Sequence, residues 1–340
     1  MNPPCALFDP ARHEPLAVAT WDEAAARAAI ARIVDAAERE FDEAGGHWPM
    51  HPRDEPLVPG APSYNLYWGA SGTVWALLQL QAAGRVRLRR DYAAWIPQYP
   101  ARVHEEAATE QHGSASYLFG ETGPLLLAWR HTRSPAFADR IHTLVRDNLH
   151  NPAHEPLWGN AGTVLAAIGM AESCRDARWP HLVRDAVQAL LDDMVIDPGT
   201  GTWTWKQHLY GHRSHHLGAG HGLAGNAYAA LRGAAFADAA TVQTVLARCL
   251  QTLVSTAVGG RVDGVELIGW HPESDRHGVA RRMSLGRLPL VQDCHGAPGI
   301  VCRLAQAPRT PAWDALLQGA AELTWHAGPL AKGASLCHGT

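Results

Sequence analysis

The chain has 340 residues, of which 46% are apolar and 18% charged, and its formal net charge is −4. This composition suits a packed globular core and lacks the basic footprint of a nucleic-acid binder. No stretch approaches eighteen consecutive apolar residues, so no membrane span is expected.

Taken in chain order, the elements read mainly as helices. An alanine-rich run from Asp22 to Phe41, with Ile30, Ile33, Val34 and Ala37 on one stripe, is the first. Thr73 to Leu80 is the second. Ser134-Pro135 reads as an N-cap followed by proline at the first helical position, and Ile141, Leu144, Val145 and Leu149 continue that helix. Thr163 to Met170 is another apolar helix. Leu182, Val183, Ala186, Val187, Leu190, Leu191 and Met194 follow a helical stripe that Asp197-Pro198-Gly199 stops. Thr202-Trp203-Thr204-Trp205 is the best strand candidate. A last stripe runs from Val242 to Val254, ended by Gly259-Gly260.

A glycine motif punctuates these helices. It occurs as Trp68-Gly69-Ala70-Ser71-Gly72, Phe119-Gly120-Glu121-Thr122-Gly123, Trp158-Gly159-Asn160-Ala161-Gly162, His221-Gly222-Leu223-Ala224-Gly225, Cys294-His295-Gly296-Ala297-Pro298-Gly299 and Cys337-His338-Gly339-Thr340. A fixed motif at hairpin-sized intervals marks a repeat architecture, one supersecondary unit per copy. Two helices per repeat in two concentric layers make an all-α fold, an α/α toroid, over a single domain of residues 1–340. Motifs at equivalent places in such a ring converge on one axis. In the first three copies the glycines allow close backbone approach, while Trp68, Phe119 and Trp158 are candidates to line a central cavity.

The last three copies carry histidine or a Cys-His pair, which helix packing does not demand. Zinc takes thiolate and imidazole, and a catalytic site keeps one position open beside three protein ligands. Cys294, Cys337 and His338 supply two sulfurs and one nitrogen; His295 repeats the pattern and is an alternative to His338. Neighbouring residues on a regular helix diverge, so Cys337 and His338 can share a metal only at an irregular helix start, which Gly339 suggests. Cys5, Cys174 and Cys302 have no such neighbours and read as buried or idle thiols. Six cysteines in a chain of this length do not form a disulfide framework of the small secreted kind. With no secretory signal at the start, the cytoplasm is the expected compartment.

The ordered set Leu217-Gly218-Ala219-Gly220-His221-Gly222-Leu223-Ala224-Gly225, Cys294-His295-Gly296-Ala297-Pro298-Gly299 and Leu336-Cys337-His338-Gly339 resembles the signatures of the lanthionine synthetase C-like proteins. The resemblance covers nearly the whole chain, because the three plainer glycine motifs fall where that family has them. It implies an α/α toroid with a central Zn2+ held by Cys294, Cys337 and His338. It further implies addition of a thiol to the β-carbon of dehydroalanine or dehydrobutyrine. Zinc would favour the thiolate, which is the nucleophile. His221 matches the histidine assigned the proton transfer at the α-carbon, a role suited to imidazole. Glu155 falls where relatives carry an acidic residue that orients this histidine; the plainer reading is a solvated loop carboxylate.

Within the family, one branch cyclises peptides through their own cysteines, and another, best known from eukaryotes, joins free glutathione to dehydroamino acids in proteins. Lys332 resembles a lysine of the glutathione branch, and Ala297-Pro298 leans the same way, so Lys332 and His295 are the substrate-binding candidates. Asp293 departs from the tryptophan common before the first cysteine. The family also continues past the sixth motif, so a chain stopping at Thr340 is expected to lack the last repeat and to be poorly active. The alternatives are a lanthipeptide cyclase and a non-catalytic relative that binds thiol or peptide. Zinc-dependent prenyltransferases need an Asp/Cys/His ligand set. Toroid glycosidases need paired carboxylates, and none stands beside the motifs.

Overall fold

The computed structural model describes residues 7–16, 20–51, 61–107, 113–274, 287–332, 335 and 337. They fall into two compact units, one within Val18–Asp147 and the other within Met1–Ala17 and Asn148–Thr340.

In the first of these, α1 (Glu23–Glu40) opens at Asp22, whose carboxylate accepts the Ala25 N–H at 3.0 Å. That satisfies one of the helix's unpaired N-terminal donors. Only Val34 and Glu38 of α1 are buried, and Ile33 points outward, so the apolar stripe is narrower than the sequence suggests. α2 (Ala70–Ala82) follows the first glycine motif. A 3-10 turn over Tyr92–Gln98 leads into α3 (Tyr99–Ala107), and α4 (Thr122–Thr132) and α5 (Pro135–Asp147) complete the unit. α4 packs on α2, α3 and α5. The core of this unit gathers Val34, Phe41, Val74, Leu77, Tyr92, Ile96, Tyr99 and Ala128.

The other unit repeats a helix pair three times. Its pairs are α6 (Asn160–Ser173) with α7 (Arg178–Asp192), α8 (Leu223–Arg232) with α9 (Ala239–Thr256), and α10 (Ala297–Leu304) with α11 (Pro311–Ala327). α6, α8 and α10 pack side by side in that order; α7 and α9 pack on each other behind α6 and α8, and α11 backs α10. Sequence explains the layering. α6 is rich in alanine and glycine and buried around its whole circumference. α7 buries one face through Leu182, Val183, Ala186, Val187 and Leu190 and leaves the other to solvent.

Three two-stranded antiparallel hairpins punctuate this unit: β1 (Val195–Ile196) with β2 (Trp203–Thr204), β3 (Gln207–Leu209) with β4 (His212–Ser214), and β5 (Val258–Val262) with β6 (Val265–Gly269). The expected strand at Thr202–Trp205 is therefore present as β2. Gly259-Gly260, read as a helix stop, lies inside β5; α9 ends at Thr256. Asp263-Gly264 and Tyr210-Gly211 turn their hairpins with positive φ at both residues, the geometry of a two-residue primed turn. The hairpins are anchored by indoles: Trp205 Nε1 donates to Leu190 O at 2.8 Å and Trp270 Nε1 to Leu253 O at 2.9 Å. Both carbonyls lie in the last turn of an outer helix, where no intrahelical donor remains. A buried indole removes about 150–250 Å² from water, roughly 4–6 kcal/mol as an upper bound.

Candidate active site

The glycine motifs bring distant residues together because their loops touch through bare backbone. A Cβ on Gly299 would strike the Asp293 carbonyl, on Gly225 the Ala219 carbonyl, on Gly123 the Tyr117 carbonyl and on Gly72 the Leu66 carbonyl. In each case the collision is with the carbonyl six residues earlier, so the loop folds back on its own helix start. Gly218 meets the Cys294 carbonyl in the same way, across two motifs. Backbone bonds then join the fourth, fifth and sixth motifs in order. Gly220 N–H donates to Cys294 O at 3.1 Å, and Cys294 N–H donates to Cys337 O at 3.3 Å. The third motif is tied in by Asn226 Nδ2, which donates to His154 O at 2.9 Å.

His221 stands immediately before α8, held by Glu155. Its Nδ1 lies 3.0 Å from Glu155 Oε2. The Glu155 carboxylate is fully buried and also accepts the N–H groups of Leu157 at 3.1 Å and Trp158 at 2.5 Å. It is thus an acceptor in a closed loop, and it is not solvated. His221 Nδ1–H donates to it, which fixes the ring and leaves Nε2 as the nitrogen able to exchange a proton.

On the other side His221 stacks on His295, with centroids 5.3 Å apart and planes at 23°. His295 in turn lies 4.9 Å from His216. Cys294 is buried, and the Cys337 thiol is its hydrogen-bonding neighbour. That neighbour and burial push the Cys294 thiol well above the ordinary thiol range, while the Gln292 amide donating to its sulfur at 3.0 Å acts the other way. Glu155, His221, His295 and His216 therefore form one side-chain cluster, and the Cys294–Cys337 pair is joined to it through the Gly220–Cys294 backbone bond. His338 lies outside the described residues, as do Gly339, Leu336 and Cys5. Among the described residues no group of three potential ligands is placed to hold a metal ion.

Lys332 is exposed; its segment is held through Ala331 N–H to Arg12 O at 2.8 Å, and no contact with the cluster is seen among the described residues. Asp293 pairs with Arg303 at 3.4 Å; burial raises its pKa above the usual carboxylate range and the guanidinium partly offsets this. Trp158 is buried and donates through Nε1 to Tyr210 Oη at 3.3 Å. Trp68 and Phe119, with ring centroids 5.1 Å apart, join Tyr67 in an aromatic cluster of the other unit. Cys302 is exposed, whereas Cys249 is buried and its thiol is pushed up by desolvation.

Two neighbours were missed in the sequence. His216 was legible in principle, since Ser214-His215-His216 runs straight into the fourth motif. Tyr210 was not: it reaches His221, at a centroid distance of 6.4 Å, only because the β3–β4 hairpin turns there.

A search of curated proteins returns no match. Among solved structures the chain is similar to one described as nisin cyclase, with a TM-score of 0.60 and 17% identity, covering 92% of this chain and 79% of that one. At that identity the likeness is one of fold, and it identifies the expected α/α toroid. The model of the family "Lanthionine synthetase C-like protein" matches residues 61–340. The chain, with its six ordered glycine motifs, belongs to the lanthionine synthetase C-like family.

Proposed function

We propose that this protein adds a thiol to dehydroalanine or dehydrobutyrine residues of a peptide or protein, forming a thioether. The observation that carries the reading is the cluster itself. A histidine held by a buried carboxylate stands on a motif whose backbone is bonded to that of Cys294, and Cys294 pairs with the thiol of Cys337 from the last motif.

Two of the three expected ligands, Cys294 and Cys337, are described, and they are of the kind that zinc takes. The Cys294 thiol, whose ionisation is opposed by its Cys337 neighbour and by burial, becomes a good thiolate ligand once a cation lies between the two sulfurs. Cys294 and Cys337 would hold it, with His338 as third ligand. When bound, zinc supplies Lewis acidity that favours the thiolate of an incoming thiol. The other roles belong to the chain. Addition at the β-carbon forms the C–S bond and moves the π electrons to an enolate. His221 Nε2 delivers the proton to the α-carbon, with Glu155 stabilising the charged ring and preventing its rotation. His295, stacked on His221, is a wall against which substrate rests.

The favoured thiol is glutathione, a small acid whose carboxylates suit the Lys332 ammonium. A second reading is intramolecular cyclisation of a cysteine-bearing peptide, favoured by the structural likeness to nisin cyclase. Incubating the protein with zinc, a dehydroalanine peptide and glutathione, followed by mass measurement, separates them. The expected product is the glutathione adduct, weakened in Lys332→Ala. Ring closure of a cysteine-bearing dehydropeptide without any adduct would reverse the preference, and no thioether in either assay would overturn the function.

A further inference from the structure

The Val18–Asp147 unit contains a cleft of about 550 Å³ that the thiol-addition reading does not use. It lies between α1 and the segment after α2, and Arg32, Arg85, Arg87 and Arg89 line it together with Asp35 and Glu38. Along this segment exposure alternates. Val86 and Leu88 are half-buried and pack against the core, while Arg85, Arg87 and Arg89 stay exposed around the cleft.

The two acids in the cleft are already engaged. Glu38 is buried and accepts the Arg89 N–H at 2.7 Å. Asp35 pairs with the guanidinium groups of Arg89 and Arg39, and the Arg89 hydrogen bond holds its carboxyl below the usual range. These contacts fasten the segment to α1. They leave Arg32, Arg85 and Arg87 exposed, with no ion pair or hydrogen bond from their side chains among the described residues. Three unpaired guanidinium groups around one cavity, in a chain of net charge −4, are a concentrated local field.

The lining chooses among anions. The cavity is far larger than one phosphate. No aromatic side chain lines it, so there is no stacking surface for bases. Its remaining walls are Ala31, Val34 and Val86, which suit apolar side chains between acidic ones. We propose that this cleft docks an acidic, extended stretch of polypeptide, with carboxylates forked onto Arg85, Arg87 and Arg32. The inference is independent of the thiol-addition reading, since binding needs neither zinc nor turnover.

The test is fluorescence anisotropy of the full-length chain with a labelled peptide alternating glutamate and valine, at low and at moderate ionic strength. We expect saturable binding that weakens with salt and falls at least tenfold in Arg85→Ser/Arg87→Ser. Arg85→Lys/Arg87→Lys should recover part of it, and Arg309→Ser, at an exposed arginine paired with Asp314, should change nothing. Because the substituted groups are exposed, all variants should keep the parent Tm. Unchanged affinity in the serine variant, equal binding of the glutamine version of the peptide, or tighter arginine-dependent binding of an oligonucleotide would each overturn the proposal.

Discussion

At the scale of residues, the proposed division of labour between His221 and the cysteines makes distinct predictions. His221 is tied to a carboxylate, and its ring lies against His295, so its loss should spare the metal. His221→Asn is expected to retain about one zinc per chain while thiol addition slows by roughly two to four orders of magnitude. Loss of zinc in that variant, measured by elemental analysis, would reassign His221 as a ligand. Glu155→Gln should slow addition less than His221→Asn, because the amide still accepts one bond but no longer compensates an imidazolium. It should also lower Tm, since the buried carboxylate caps Leu157 and Trp158. Cys337→Ala should remove the zinc and leave a folded protein; full retention would show that the sulfur pair is not the metal site.

At the scale of elements, the site depends on loops packed too closely for side chains. Gly299 lies in the first turn of α10, with the Asp293 carbonyl and the Ala219 methyl in the space a Cβ would take. Gly299→Ala must push backbone aside and should cost about 1–3 kcal/mol in chemical denaturation, with zinc affinity falling as Cys294 shifts. Gly259→Ala is the control. That residue lies in β5, its nearest neighbour to a new Cβ is Leu267 O at 3.8 Å, and alanine there should be close to neutral. Equal destabilisation by both substitutions would mean that glycine matters only through backbone freedom. The hairpins were the elements least legible beforehand. Their strands are two to five residues long, too short for periodicity to register. Asp263-Gly264 was nonetheless a readable turn signal.

At the scale of the molecule, stability should depend on pH through His154. Its ring is mostly buried, with Asp193 at 3.5 Å and His208 and His150 nearby. Desolvation is the largest influence and lowers its pKa; the Asp193 charge opposes this, and the two histidines add to it. The folded pKa therefore lies below the unfolded value, and the unfolded chain takes up the proton first. Stability should be level above about pH 6.5 and fall as pH drops through that value towards the folded pKa. His154→Asn should flatten this dependence, because asparagine tolerates the positive φ of 44° at this position. Denaturation midpoints across this range for both proteins are the measurement, and an unchanged slope would assign the effect elsewhere.

Much of this protein could be read before any coordinates. Helical periodicity is local, so α1, α5, α7 and α9 were visible from spacing alone, and the glycine motifs announced a repeat and marked the residues from which the proposed chemistry is drawn. Three-dimensional packing decided the rest. Glu155 and His221 are separated by 66 residues, and no pattern in the sequence distinguishes a buried carboxylate on an imidazole from a solvated one. His295 could be a ligand or a wall by its motif; stacking on His221 is a property of the folded chain. Tyr210 and the arginine cleft are likewise products of a turn and of a helix packed against the segment that follows α2. Residue types and their intervals determine which elements form and which chemistry is available. Which side chains meet is decided by the close backbone contacts between loops that the chain itself keeps dozens of residues apart.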